Sequence, residues 1–495
     1  MMMNRREFAK GGLAALGFLA LDGLPVFAAP AGFKPKKKPN LAFGILSDTH
    51  LMVEWDGKSL YRTMTLDYVR NAFKLFKERN VDAFLHLGDA AHRAADRELE
   101  FHRELFEELF GKSGGPVKLL VPGNHEWFDC RDMHQKIWSD WQDHSLVCDF
   151  PRLWGRAWGV QFEEMWHKEV NGYHFFGRDW NVDEIKFADF ILSNAESCGL
   201  KGKKPFFVLS HRRHHFGFCH ALREYPNAIA FFGHWHQSNA DYKTIYYDSF
   251  GGFFPSIEVG ACRYDGGNAL DVGHESVLKE KFAASGETGE QKEQDWHTNK
   301  VPSRQAMVVN IYDDFVVFER HEVGQGGKLG PDWVLPLGEC KMENVKCKVG
   351  ENGKKIHPFS REGLLKVIGS PEFGKKAKLV AEKATKGAIK IKIPPADGNP
   401  DSRVFAYDVV VVGNDPKARL FKSVYFEGCN VAPGHEPNNG ITEVEIPAAE
   451  LPAGKKLTIA VRPISSLGTK GKAIATKFQG VSHSAIQQKR KERNT

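Results

Sequence analysis

"AIAFFGHWHQSNA", residues 228–240, is a five-residue apolar run that breaks at Gly233 and hands His234 and His236 to a polar loop. A short continuous apolar run reads as a strand buried on both faces, so both imidazoles stand at a strand's carboxyl end. Working outward, the same arrangement recurs. "LAFGILS" (41–47) is followed by Asp48-Thr49-His50, and "VDAFLHLGD" (81–89) ends in Gly88-Asp89. "VKLLVPGN" (117–124) runs into His125-Glu126, and "KPFFVLSH" (204–211) ends in His211. Between these runs, residues 66–80 and 96–110 carry apolar side chains at helical spacing. Alternating strands and helices predict an α/β fold whose functional loops leave the carboxyl ends of the strands.

Every one of those strand ends offers a nitrogen or oxygen donor and none offers a thiolate, which suits Mn, Fe or Zn. The donors exceed what one ion needs, and two ions sharing a carboxylate is the economical arrangement. The ordered blocks D-x-H, G-D, G-N-H-E, H and G-H-x-H resemble the calcineurin-like metallophosphoesterase family over residues 41–338. The resemblance implies a sandwich of two β-sheets flanked by helices and two divalent or trivalent metal ions. It implies that Asp48, His50 and His236 hold one ion, that Asn124, His211 and His234 hold the other, and that Asp89 bridges them. His125 would stand beside the scissile ester. Hydroxide generated between the ions would attack phosphorus while His125 assists the leaving group. Gly233 would let the chain turn beneath the ions.

Some positions depart from the family pattern or leave alternatives open. His92, in "GDAAH", either lines the site or merely starts a helix. "SHRRHHF" lacks the proline often found after the ligand histidine, leaving His214 or His215 as alternatives to His211. Arg212 and Arg213 are candidate phosphate clamps, since a guanidinium fork matches phosphoryl oxygens. Glu126 is either an orienter of a histidine or a helix-capping or surface residue.

The flanks carry other signals. Residues 1–29 contain Arg5-Arg6, a modest apolar stretch and "VFAAP", resembling a twin-arginine export signal, so a periplasmic or extracellular location is expected. Residues 30–40 read as a Pro/Lys linker. The formal charge of +6 comes from the termini: +5 over residues 1–39 and +3 over the basic tail 481–495, leaving −2 for the body. Extended nucleic acid is therefore not an expected partner, and a small phosphoester is. After residue 40 no apolar run is long enough to span a membrane, and oligomeric state has no signature.

Seven of the eleven tryptophans fall within 127–180, which reads as an insertion: an aromatic cap over the site or a small core of its own. Residues 265–304 read as a polar loop, and 339–370 as a connector holding Cys340 and Cys347, a candidate disulfide pair among eight cysteines. From 371 to 480, short alternating strands separated by Pro, Gly, Asn and Asp predict an all-β sandwich that resembles a fibronectin type III module. The competing functional class is an exported binding or adhesion protein on a catalytically silent phosphoesterase scaffold.

Overall fold

The computed structural model describes residues 37–51, 62–91, 96–127, 150–202, 204–240, 244–247, 254–262, 304–337, 359–367, 369–397, 402–414, 419–454 and 456–479. The expected export signal, the Cys340–Cys347 pair, the basic tail, His92 and nearly all of the 265–304 loop lie outside these residues. The chain forms two compact units: the first from residues up to 239, between 244 and 262 and between 304 and 367, the second from 369 onward.

The first unit is built on two six-stranded mixed sheets. One contains β1 (Leu41–Leu46), β2 (Ala83–His86) and β3 (Val117–Leu120), with helices α1 (Arg62–Glu78) and α2 (Asp96–Phe110) between them. The helix α3 (Phe150–Trp158) follows. The other sheet contains β4 (Met165–Val170), β5 (Tyr173–Arg178), β6 (Phe206–Leu209) and β7 (Ala228–Phe232), with α4 (Glu184–Ser197) and α5 (Phe216–Ala221) as crossovers. Short strands β8 (Ile245–Tyr246) and β9 (Ser256–Glu258) complete it. The chain then returns through β10 (Gln305–Ile311), β11 (Phe315–Glu322) and β12 (Trp333–Pro336), giving sheet orders β12-β11-β10-β1-β2-β3 and β4-β5-β6-β7-β9-β8. Within them β1-β2-β3 and β5-β6-β7-β9 run parallel.

The inner faces meet through aromatic rings: Phe43 lies 5.5, 5.0 and 5.9 Å from Phe175, Phe207 and Phe231. The outer face of the first sheet packs against α1 and α2 through Phe73, Phe76, Phe84 and Phe106, and that of the second against α4 and α5 through Phe187, Ile191 and Phe218. Strand β1 is buried at all six positions, as its unbroken apolar run requires. Gly44 admits Phe76 so closely that an added Cβ would lie 2.4 Å from its ring.

The segment 127–180 departs from its reading as an insertion. Its described part holds α3 and the hairpin β4–β5, and β5 pairs with β6 inside the second sheet. The decisive signal is Asn171-Gly172, both at positive φ (50° and 75°), a two-residue turn that matches strand twist. Trp154, Trp158 and Trp166 are buried core residues rather than a cap.

The second unit is all-β. Strands β13 (Val380–Lys383), β14 (Ile389–Ile393) and β17 (Thr442–Ile446) form one antiparallel sheet. Strands β15 (Ala406–Val412), β16 (Arg419–Tyr425), β18 (Lys456–Ile464) and β19 (Ile474–Gln479) form the other. Alternate residues Ile389, Ile391 and Ile393 share one core with Val409, Val411, Leu457, Ile459 and Val461, so two sheets enclose a single apolar layer.

Candidate metal centre

The parallel strands bring their carboxyl ends together, and the loops that follow β1, β2, β3, β6 and β7 carry the donors. Asp48 is fully buried; Ser47 Oγ donates to its Oδ2 at 2.6 Å and the His234 N–H donates to the same oxygen at 3.0 Å. Its Oδ1 lies 3.0 Å from His236 Nε2, which in turn lies 3.0 Å from His50 Nε2. Asp89 Oδ2 stands 3.6 Å from His50 Nε2 and 3.1 Å from His211 Nε2. Asn124 Oδ1 is 3.1 Å from the same His211 nitrogen, and the His125 N–H donates to Asp89 Oδ1 at 2.9 Å. One donor group comprises Asp48, His50, Asp89 and His236, another Asp89, His211 and His234, each with its ligand atoms within 4.8 Å of one another. Asp89 belongs to both.

The loop backbones are held in unusual torsions. Asp48, His50, Asp89, His234 and His236 have φ of 53°, 42°, 53°, 73° and 56°. The left-handed region is uncommon for any residue with a Cβ, and its concentration at a cluster of polar side chains marks a functional constraint. Close approach adds to it: a Cβ on Gly233 would lie 1.9 Å from Ser47 Oγ, and one on Gly123 would lie 2.1 Å from Asp89 Oδ1. Gly233 thus serves by contact, its φ lying outside the left-handed region.

Electrostatics follow from burial and pairing. Burial alone would raise Asp89, but His211 and His125 hold its carboxyl well below the usual range. Burial would lower His211, yet Asp89, Asp48 and the Leu87 carbonyl push it up to about 9. Burial and the neighbouring His211 lower His234 to about 4. The crowd of carboxylates and imidazoles, all aimed inward with nitrogen and oxygen donors, fits one or two borderline divalent cations.

Glu126 does not orient a histidine. Its buried carboxylate accepts four backbone N–H groups: Asp89 at 3.0 Å, Ala90 at 2.6 Å, Ala91 at 3.1 Å and Gly123 at 2.7 Å. It therefore ties the loop after β2 to the loop after β3. Burial and the Asp89 charge raise it to about 7 against those donors.

Of the alternatives, His214 stacks on Phe218 at 3.8 Å and meets Ser210 Oγ at 3.1 Å, while the His215 N–H donates to Glu184, so neither takes the place of His211. Arg212 lies over Trp180 at 4.9 Å, and Trp180 in turn lies 5.6 and 5.1 Å from the rings of His211 and His234. Arg213 lies over Trp235 and Tyr246 at 5.2 and 4.5 Å. Both guanidiniums are thus stacked on aromatic rings, Arg212 on the indole that adjoins His211 and His234.

Sequence reasoning missed the support behind the loop after β1. Thr49 Oγ1 is 2.8 Å from His102 Nε2 and 3.3 Å from His86 Nε2, all three residues buried. The Glu98 carbonyl lies 3.1 Å from His102 Nδ1, and Thr49 Oγ1 also donates to the Ala90 carbonyl at 3.1 Å. The signal was His86 inside an apolar strand and His102 on the apolar face of α2.

Residues 41–238 match the family model described as calcineurin-like phosphoesterase, which supports a calcineurin-like metallophosphoesterase domain in this part of the chain. Among solved structures, a dimetal phosphatase from Danio rerio matches at 12% identity and TM-score 0.35, over 60% of this chain and 99% of its own. A purple acid phosphatase from yellow lupin (Lupinus luteus) seeds matches at 14% and 0.36, over 62% and 55%. A 5'-nucleotidase precursor from Thermus thermophilus matches at 13% and 0.29, over 69% and 62%. No curated protein matches the chain.

Proposed function

We propose that the chain is a dinuclear metal-dependent hydrolase of phosphoester bonds. The observation that carries this reading is Asp89, the one carboxylate common to both donor groups. Asp48, His50 and His236 would hold one ion, Asn124, His211 and His234 the other, with Asp89 between them. When bound, such a pair lowers the pKa of water and withdraws charge from phosphoryl oxygens.

The remaining chemistry belongs to the side chains. Asp89 Oδ1 accepts the His125 N–H, which fixes the backbone carrying that imidazole, and the ring stands 4.6 Å from the His50 ring, edge to face. His125 is half-buried, so a substrate's leaving oxygen can reach it and take its proton. Ser47 and the His234 N–H keep both Asp48 oxygens oriented toward the donors. Trp180 closes one side of the centre, and Arg212 on that indole supplies positive charge to a substrate's outer anionic groups. The intact donor set disfavours a silent scaffold. The Arg5-Arg6 segment supports export of the folded enzyme.

Elemental analysis of the purified protein, paired with hydrolysis of bis(p-nitrophenyl) phosphate and p-nitrophenyl phosphate after addition of Mn, Fe or Zn, tests the proposal. About two ions per chain with turnover supports it, and the preferred ester assigns diesterase or monoesterase action. Absence of both metal and turnover refutes it.

A further inference from the structure

A second donor cluster lies away from that centre, on the edge hairpin of the other sheet. Register pairs His167 with Phe176 and Glu169 with His174, so alternation puts all four on one face. His167 Nε2 and His174 Nδ1 are 2.9 Å apart. The two rings stack at 5.1 Å, and Phe176 stacks beneath His167 at 4.5 Å and 14°, fixing its plane. Cys198, the C-cap of α4, presents an exposed thiol to the same point. One donor atom from each of His167, His174 and Cys198 falls within 4.8 Å of the others.

We propose that His167, His174 and Cys198 form a separate mononuclear site for a borderline divalent cation such as Zn²⁺. Two imidazole nitrogens and a thiolate are ligands that Zn²⁺, Co²⁺ and Cu²⁺ take and that Mg²⁺ and Ca²⁺ do not. A fourth position is left for water or for the exposed Glu169 carboxylate across from His174. The carbonyl end of α4 favours positive charge at Cys198. Bound metal would fasten the helix end to the edge strand β4, whose outer backbone groups are otherwise a template for stray pairing.

The inference is independent of the phosphoesterase reading, and its readout is separate. The dinuclear donor set contains no thiolate, so thiolate-to-cobalt charge transfer reports only on sulfur ligation. Full-length protein, stripped with chelator under reducing conditions and titrated with Co²⁺, should develop that band within about three equivalents, up to two of which the dinuclear donors take. Cys198→Ser and His174→Ala should each lose it, with ester hydrolysis retained, because neither residue touches the other centre. Zn²⁺ should raise the melting temperature of the wild type more than that of Cys198→Ser. Absence of the band in the wild type, or its survival undiminished in Cys198→Ser, overturns the proposal.

Discussion

Asp89 Oδ2 lies 3.1 Å from His211 Nε2, and the two groups pull each other's protonation in opposite directions. The carboxyl is held down and the imidazole is raised to about 9. The opposite nitrogen of His211 faces the Leu87 carbonyl at 2.6 Å, which aims Nε2 at Asp89. A carboxylate held ionised between imidazoles is the group a pair of cations requires at its centre.

Asp89→Asn should keep the fold yet lose metal. An amide cannot bridge two cations as a carboxylate does, so metal content should fall by at least one equivalent and turnover by more than about 100-fold. Elemental analysis beside a steady-state assay checks both; full occupancy would remove Asp89 from the bridging position.

His125→Ala should retain the ions and lose roughly 10²–10⁴ in turnover, the range for a positioned proton donor. The deficit should grow with the leaving group's basicity. Rates across a series of aryl and alkyl phosphates, giving the same deficit for all, would assign His125 another role.

Glu126→Gln exchanges a group that accepts on both oxygens for one that accepts on one. Two or more of the four backbone donors then lose their partner, costing about 3 kcal/mol. Chemical denaturation measures this, and metal affinity should weaken with it because the loops after β2 and β3 are no longer tied.

Acid sensitivity should trace in part to His102, which burial lowers to about 4. An unfolded chain protonates this imidazole near 6.5 while the folded one withholds the proton until about 4, so stability is full above 6.5 and falls as pH drops through that window. The contribution is on the order of 3 kcal/mol. His86, lowered by burial and by His102, acts with the same sign. Denaturation of His102→Gln over this range should give a shallower acid limb than the wild type.

Arg212→Ala should raise KM several-fold, about 1 kcal/mol, for a phosphoester bearing a second anionic group, and change kcat little. Plain p-nitrophenyl phosphate should be nearly unaffected. An equal loss on both substrates would mean that the guanidinium supports Trp180 rather than substrate.

The donor positions were legible because each follows an unbroken apolar run, and strand ends are where an α/β sheet presents its loops. The helix 96–110 was equally plain from its spacing, and the observed α2 is Asp96–Phe110. The hairpin at Asn171-Gly172 was written in the chain as well, but the surrounding tryptophans masked its alternation. What no local pattern could reveal was pairing across the fold. Glu126 meets four backbone groups on two loops, and Thr49 meets His102 from 53 residues away. Cys198 meets His167 and His174 only because α4 folds back over β4. Such contacts depend on register and crossover, which a one-dimensional reading does not contain.

The left-handed torsions at the metal loops are upheld by the protein itself. The Asp48 N–H donates to the Gly88 carbonyl at 3.0 Å, His50 N–H to Asp89 at 2.9 Å, and Gly233 N–H to His211 at 2.8 Å, so each loop is braced by its neighbour. On the proposed dinuclear reading, loops braced this way would select ions by radius and ligand angle, favouring small borderline cations over a large, flexible coordinator such as calcium.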